Sequence, residues 1–203
     1  GKRLGLNFVQ PQLVQSVTES GFELRQLPEE TYSWLKAWYD RSQIRHAVAE
    51  DNVGPCMNQR AAASEVTHLP ALGTFSKSRL SRELRETLEE WYGGELVMTS
   101  IYGVRKYTNG SVLRMHVDTA NTHVVSAIIN VDQEIDVASG DRDWPLLILD
   151  HDGKEHNLVM APGDLVLYES AKLLHGRPTV FHGTSYSNIF IHYAPKDWDA
   201  GFV

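Results

Sequence analysis

Up to about residue 94 the apolar positions recur at helical spacing, and after it they fall into short runs with strand character, so the chain changes texture once, near Gly93-Gly94. In the first half, Leu13, Val14 and Val17 predict a helix over 11–18 with Gly21 as its stop, after a short extended piece from Leu4. Trp34, Leu35 and Trp38 share one face of a second helix over 29–41, and Pro28 sits where a first turn tolerates it. Leu80, Leu84, Leu88 and Trp91, at steps of four, four and three, predict a third helix over 78–91 that ends at Gly93-Gly94. Between the last two, residues 51–74 lose the pattern: Asn52, Gly54, Pro55, Pro70 and Gly73 punctuate a segment long for a plain connection, and a lid is the alternative use. After Gly94 the runs 96–102, 112–117, 123–131, 145–149, 156–160, 165–168, 172–175 and 186–193 read as strands, separated by turns such as Asp152-Gly153 and Pro162-Gly163-Asp164. Strands in succession without helices between them predict an antiparallel sandwich, jelly roll or barrel. The expectation is an α+β chain forming one domain, with residues 1–94 as a mainly helical support layer and 95–203 as a β-barrel core.

Composition narrows the functional classes. With 203 residues and 42% hydrophobic content the chain can bury a real core. The net charge of −7, with 19 Lys and Arg scattered along the sequence, argues against a nucleic-acid partner. Cys56 is the single cysteine, which excludes an intrachain disulfide and a multi-cysteine zinc site. The start lacks an apolar leader and no run approaches membrane-spanning length, so a soluble, cytoplasmic, membrane-free protein is expected.

The candidate chemistry lies in Leu113-Arg114-Met115-His116-Val117-Asp118 and, far downstream, Leu174-His175-Gly176. On a strand, residues two apart share a face, so His116 and Asp118 project the same way. A neighbouring strand bringing His175 alongside would give two imidazoles and one carboxylate on one face of a metal, the set that suits non-haem ferrous oxygenases; ligand type alone also allows a zinc hydrolase. The other histidines have plainer readings. His151 and His156 flank the Asp152-Gly153 hairpin and are expected in solvent; His123, His182 and His192 read as packing residues near strands, with His123 or His192 able to line a pocket; His46 and His68 lack a partner at ligand spacing. Trp144 reads as barrel packing.

These residues stand in a familiar order. Tyr107, Gly110, Leu113, His116 and Asp118 resemble the Y-x-x-G-x-x-L-x-x-H-x-D segment of the iron(II)- and 2-oxoglutarate-dependent oxygenases of the prolyl-4-hydroxylase-like branch; 161–168 looks like its P-x-G-D type turn and strand, and His175, Val180, Gly183 and Tyr186 are similar to its spacing around the distal histidine. The resemblance covers about residues 95 to 195. It implies a double-stranded β-helix, the jelly-roll or cupin-like barrel. It also implies His116, Asp118 and His175 as Fe(II) ligands, 2-oxoglutarate and molecular oxygen as partners, and ascorbate as an accessory reductant. The reaction implied is hydroxylation of an unactivated C–H bond with succinate and CO2 as co-products, on a peptidyl proline or another peptide or small-molecule substrate. Halogenating relatives lack the carboxylate ligand, so Asp118 favours hydroxylation.

One departure affects the cofactor site. Relatives carry Lys or Arg ten residues past the distal histidine, for the far carboxylate of 2-oxoglutarate, where this chain has Ser185. A carboxylate removed from water needs a cation or several donors. Arg177 lies two residues beyond His175, about 6.6 Å along a continuing strand and on the same face, although Pro178 follows it directly. Tyr107 and Ser185 are further donors, and Arg105 and Arg114 further cations. The missing cation at Ser185 favours the alternative of a cupin-like metal- or ligand-binding or sensing module without turnover.

Overall fold

The helical half folds largely as its spacing predicts, with one correction at the start. The computed structural model describes residues 2–43, 48–49, 67–68, 73–199 and 201. Helix α1 spans Lys2–Leu13, not 11–18, and Pro11 stands in its last turn. Proline suits a first turn best because it lacks an N–H, but near the C-terminal end only one intrahelical bond is lost, so its position is a weak guide to which end it marks. Helix α2 (Glu29–Gln43) opens with Glu29 and Glu30, whose charge suits a helix N-terminus. Helix α3 (Thr74–Tyr92) stops at Gly93, which takes the left-handed conformation at φ 82° and returns its N–H to Glu89. Glu83 of α3 ties the two together, accepting from Thr31 Oγ1 at 2.7 Å, Trp34 Nε1 at 3.0 Å and Arg79 Nε at 2.6 Å. Of the 51–74 segment, residues 51–66 and 69–72 lie outside the described residues, and the lid expectation with them.

The strands are β1 (Phe22–Gln26), β2 (Val48–Ala49), β3 (Thr67–His68), β4 (Leu96–Thr108), β5 (Leu113–His116), β6 (Val125–Glu134), β7 (Leu146–Leu149), β8 (Glu155–Leu158), β9 (Asp164–Tyr168), β10 (His175–Arg177) and β11 (Ser185–Pro195). They form a seven-stranded sheet, β1-β9-β6-β11-β4-β3-β2, and a four-stranded sheet, β5-β10-β7-β8, antiparallel at every pairing. β1, which periodicity did not mark, pairs Phe22 with Tyr168 at the sheet edge. β10 begins where the expected strand 172–175 ends, because the N–H groups of Lys172 and Leu173 turn back to Glu169 O, and Pro178 closes it.

Leu35 and Tyr39 of α2 and Leu80, Leu84 and Leu88 of α3 join Val104, Ile129, Ile189, Ile191 and Tyr193 in one buried cluster, so α2 and α3 cover one face of the large sheet. Full burial of such side chains contributes about 1.5–3 kcal/mol each. The opposite face turns to the small sheet across Ile128, Ile148, Val166 and Leu173. Gly176 lets β10 lie close against β5: a Cβ there would sit 2.8 Å from Leu113 O and 2.9 Å from Arg114 O. No helix among the described residues is long and apolar enough to cross a membrane.

Candidate metal centre

Because β5 and β10 run antiparallel with His116 opposite His175, the two imidazoles meet across the ladder, ring centroids 4.4 Å apart. Asp118 lies just past the end of β5, where its N–H donates to Ser170 O at 2.8 Å. There Asp118 Oδ1 is 3.6 Å from His116 Nε2 and Oδ2 is 4.0 Å from His175 Nε2. The ligand atoms offered by the three residues all lie within 4.8 Å of one another. His116 Nδ1 faces Arg114 O at 2.7 Å and His175 Nδ1 faces Leu173 O at 2.8 Å. A carbonyl can only accept, so each Nδ1 carries a proton, and in the neutral form of each ring the Nε2 lone pair is turned to the common point. Burial alone would push the Asp118 carboxyl up, but attraction to the positive charge that the imidazoles of His175, His192, His116 and His123 take on when protonated outweighs it and holds the group below the ordinary carboxylate range. Two free imidazole lone pairs and an ionised carboxylate form a donor set that fits a divalent cation.

The three residues line a cavity of about 160 Å³. Arg177 lines it too and is 1% exposed. Its guanidinium packs against the edge-on pair of Trp144, 5.0 Å from the centroid, and Tyr186, 4.5 Å, and it donates to Trp144 O and approaches Tyr186 Oη at 3.4 Å. No carboxylate of the described residues pairs with it. Tyr107 and Ser185 are outside the cavity wall. Tyr107 packs edge-on against Trp144 at 5.0 Å, whereas Ser185 starts β11 opposite Thr108 and Glu134. The interior face of β11 belongs instead to Asn188, Phe190 and His192, while Ser187 reaches the other way to Tyr39 Oη at 2.7 Å. Of the remaining arginines, Arg105 lines the cavity beside Phe190, and Arg114 is exposed.

His123 and His192 also line the cavity, their ring centroids 3.8 Å apart and the planes tilted by 34°, and His192 Nδ1 meets Ser126 Oγ at 2.7 Å. Burial pushes His192 down to about 3 and lowers His123, so both are uncharged at neutral pH. Tyr168 was missed: burial and the Asp118 carboxylate push its phenol well above the usual range, so it presents a neutral hydroxyl in the cavity wall. Its signal was parity, since Val166 and Tyr168 on β9 share the barrel-facing side. Asn188 was missed as well; its Oδ1 is buried with no partner among the described residues. The solvent reading of His151 and His156 needs correction: both are half-buried against carboxylates, His151 at 3.2 Å from Glu169 and His156 at 2.7 Å from Asp150. His182 is exposed, and Trp144 packs as expected, its Nε1 donating to Thr179 O at 2.8 Å. His46 lies outside the described residues.

No protein-family model matches the sequence, and no curated protein matches it. Solved structures do match the fold. A Pseudomonas putida prolyl-4-hydroxylase superposes with TM-score 0.60 at 16% identity, covering 87% of this chain and 94% of that one. A 2OG-Fe(II) oxygenase family oxidoreductase from Burkholderia pseudomallei gives 0.59 at 14% identity, covering 86% and 84%. HygX from Streptomyces hygroscopicus, solved with nickel and 2-oxoglutarate bound, gives 0.60 at 12% identity, covering 88% and 84%. The two antiparallel sheets with N-terminal helices are therefore the double-stranded β-helix fold of 2-oxoglutarate oxygenases, carrying a group of the H-x-D…H type.

Proposed function

We propose that this chain is an Fe(II)- and 2-oxoglutarate-dependent oxygenase that hydroxylates an unactivated C–H bond, with His116, Asp118 and His175 holding the metal and Arg177 holding the far carboxylate of 2-oxoglutarate. The observation that carries the reading is Arg177: a cation buried without a carboxylate partner among the described residues, in the same cavity as the triad. A buried guanidinium lacking a counter-charge is costly, and a bound dicarboxylate removes that cost. Ser185 then needs no cation of its own, because the role has moved to the strand that carries the distal histidine.

The iron and cofactor, when bound, supply the oxidising chemistry, in which oxygen is consumed, 2-oxoglutarate becomes succinate and CO2, and a substrate C–H becomes C–OH. The chain's own residues prepare for it. Hydrogen bonds from Nδ1 to Arg114 O and Leu173 O fix the imidazoles with Nε2 turned inward. Asp118 is ionised at neutral pH and need not shed a proton to bind a cation. Trp144 and Tyr186 support the guanidinium with two adjoining ring faces, and Leu113, Ile128, Leu146 and Phe190 give the cavity apolar walls that keep water from competing for the polar groups. The substrate lies in the range of a peptidyl proline or a small molecule.

The test is decarboxylation of 2-oxoglutarate labelled at C1, with Fe(II) and oxygen, followed as CO2 and succinate across a panel of peptide and small-molecule substrates. We expect release that His175→Ala abolishes. Absence of 2-oxoglutarate binding to the metal-loaded protein would overturn the assignment.

A further inference from the structure

We propose that helix α1 is a positioning element for the metal centre, acting through the carboxamides of Asn7 and Gln10; this rests on the metal site proposed above. β5 is the edge strand of the small sheet and its ladder ends at His116, so groups such as Met115 O and the Val117 N–H find partners outside that sheet. α1 supplies them. Asn7 Nδ2 donates to Met115 O at 3.1 Å, and Asn7 Oδ1 accepts from the Val117 N–H at 3.2 Å, so one carboxamide grips both sides of His116. Gln10 Nε2 donates to Asp118 O at 2.6 Å and to Ala171 O at 2.7 Å. A single amide thus ties the carboxylate ligand's own peptide to the turn that leads into His175.

The sequence places these groups on one helical face. Positions 7, 10 and 14 lie three and four residues apart, and Val14 is buried with Ala120 and Ala171. Lys172 fixes the end of the helix from the same turn, its Nζ donating to Pro11 O at 3.0 Å and Val14 O at 2.6 Å. Gln10 is 2% exposed, so water does not replace its bonds when the side chain is cut back. Asp118, beyond the strand, has no sheet partner of its own; its remaining backbone bond, from N–H to Ser170 O, runs to the same turn. The distance from carboxylate to imidazoles is therefore set by a bridge from α1 to both ligand-bearing segments. Groups that orient ligands in this way typically affect metal affinity about 10–100-fold.

The test titrates Mn(II) into the full apo-protein, read by the loss of free Mn(II) signal in electron paramagnetic resonance, at a temperature where circular dichroism reports the fold intact. Gln10→Met keeps the length of the side chain and loses the donor; we expect about 10–100-fold weaker Mn(II) binding. Asn7→Asp keeps the acceptor for Val117 but turns an anionic oxygen toward Met115 O, so its loss is expected to match or exceed that of Asn7→Ala, and weaker Mn(II) binding beside an unchanged circular dichroism spectrum and melting midpoint is what a merely structural role would not produce. Gln12→Ala, which removes a bond to Phe8 O of the same helix, is expected to bind as wild type does. If Gln10→Met and Asn7→Ala bind Mn(II) within twofold of a wild type that binds it well, the positioning role is overturned and the metal site stands. If wild type takes up no Mn(II), the metal site itself is overturned and this role with it. Should Gln10→Met fail to fold, the Asn7 pair decides.

Discussion

On one face of β11, Ile189, Ile191 and Tyr193 sit in a cluster with Leu35, Leu80, Leu84 and Leu88; on the other, Asn188, Phe190 and His192 line the cavity. The polar tips on the helical face end inside the protein, Tyr193 Oη donating to Ser81 O at 3.1 Å and Ser187 Oγ meeting Tyr39 Oη at 2.7 Å. On the cavity face His192 Nδ1 meets Ser126 Oγ at 2.7 Å, but Asn188 Oδ1 is buried with no partner among the described residues, and across the cavity Arg177 has no carboxylate among them. One strand therefore serves as scaffold and as receptor. The difference is whether hydrogen bonding is completed by the chain or left for something that arrives later.

The sharpest way to break this contrast is His175→Ala. Metal uptake should be lost well beyond the 10–100-fold expected of a supporting group, with little change in the folding midpoint, as checked by metal titration beside thermal denaturation. Leu84→Ala should do the reverse on the helical side, destabilising the fold by about 2–5 kcal/mol in chemical denaturation and leaving the metal affinity of the folded fraction unchanged. Arg177→Met keeps the bulk of the side chain and removes its charge; we expect the 2-oxoglutarate KM to rise about 30–100-fold, consistent with losing a charged hydrogen bond worth about 2–3 kcal/mol, while metal affinity holds. The smallest effect concerns Glu83. Burial pushes its carboxyl up, but bonds from Arg79, Trp34 and Thr31 outweigh this and hold it below its ordinary 4.5. A carboxyl depressed in the folded state stabilises fully above its unfolded value and loses that contribution as pH falls through the folded one. Glu83→Gln should thus cost about 1 kcal/mol at pH 7, a deficit that vanishes as denaturation curves are repeated at pH falling from 4.5.

The site was legible where residues close in sequence repeat a local rule. His116 and Asp118 are two apart, His175 keeps its place relative to the turn at 162–164, and Arg177 follows His175 by strand parity, so each could be named from the sequence. Arg114 shows where parity fails: the pairing of β5 with β10 shifts between His175 and Arg177, and Leu113, not Arg114, faces inward with His116. Asn7 and Gln10 were not legible, since their partners lie 108 positions away and a carboxamide on a short helix has no signature. The fold was legible in its α2, α3 and most of its strands because their apolar spacing is regular, whereas β1 is a short edge strand with no fully buried residue to mark its period.

Gly176 sets the spacing of the two imidazoles. With no room for a methyl between β10 and β5, the span between the two imidazoles is dictated by main chain against main chain, and repacking of neighbouring side chains leaves it alone. Gly176→Ala would act as a wedge, spreading the two imidazoles without touching either side chain. A pocket built this way can diversify its rim freely while the spacing at its centre stays constant.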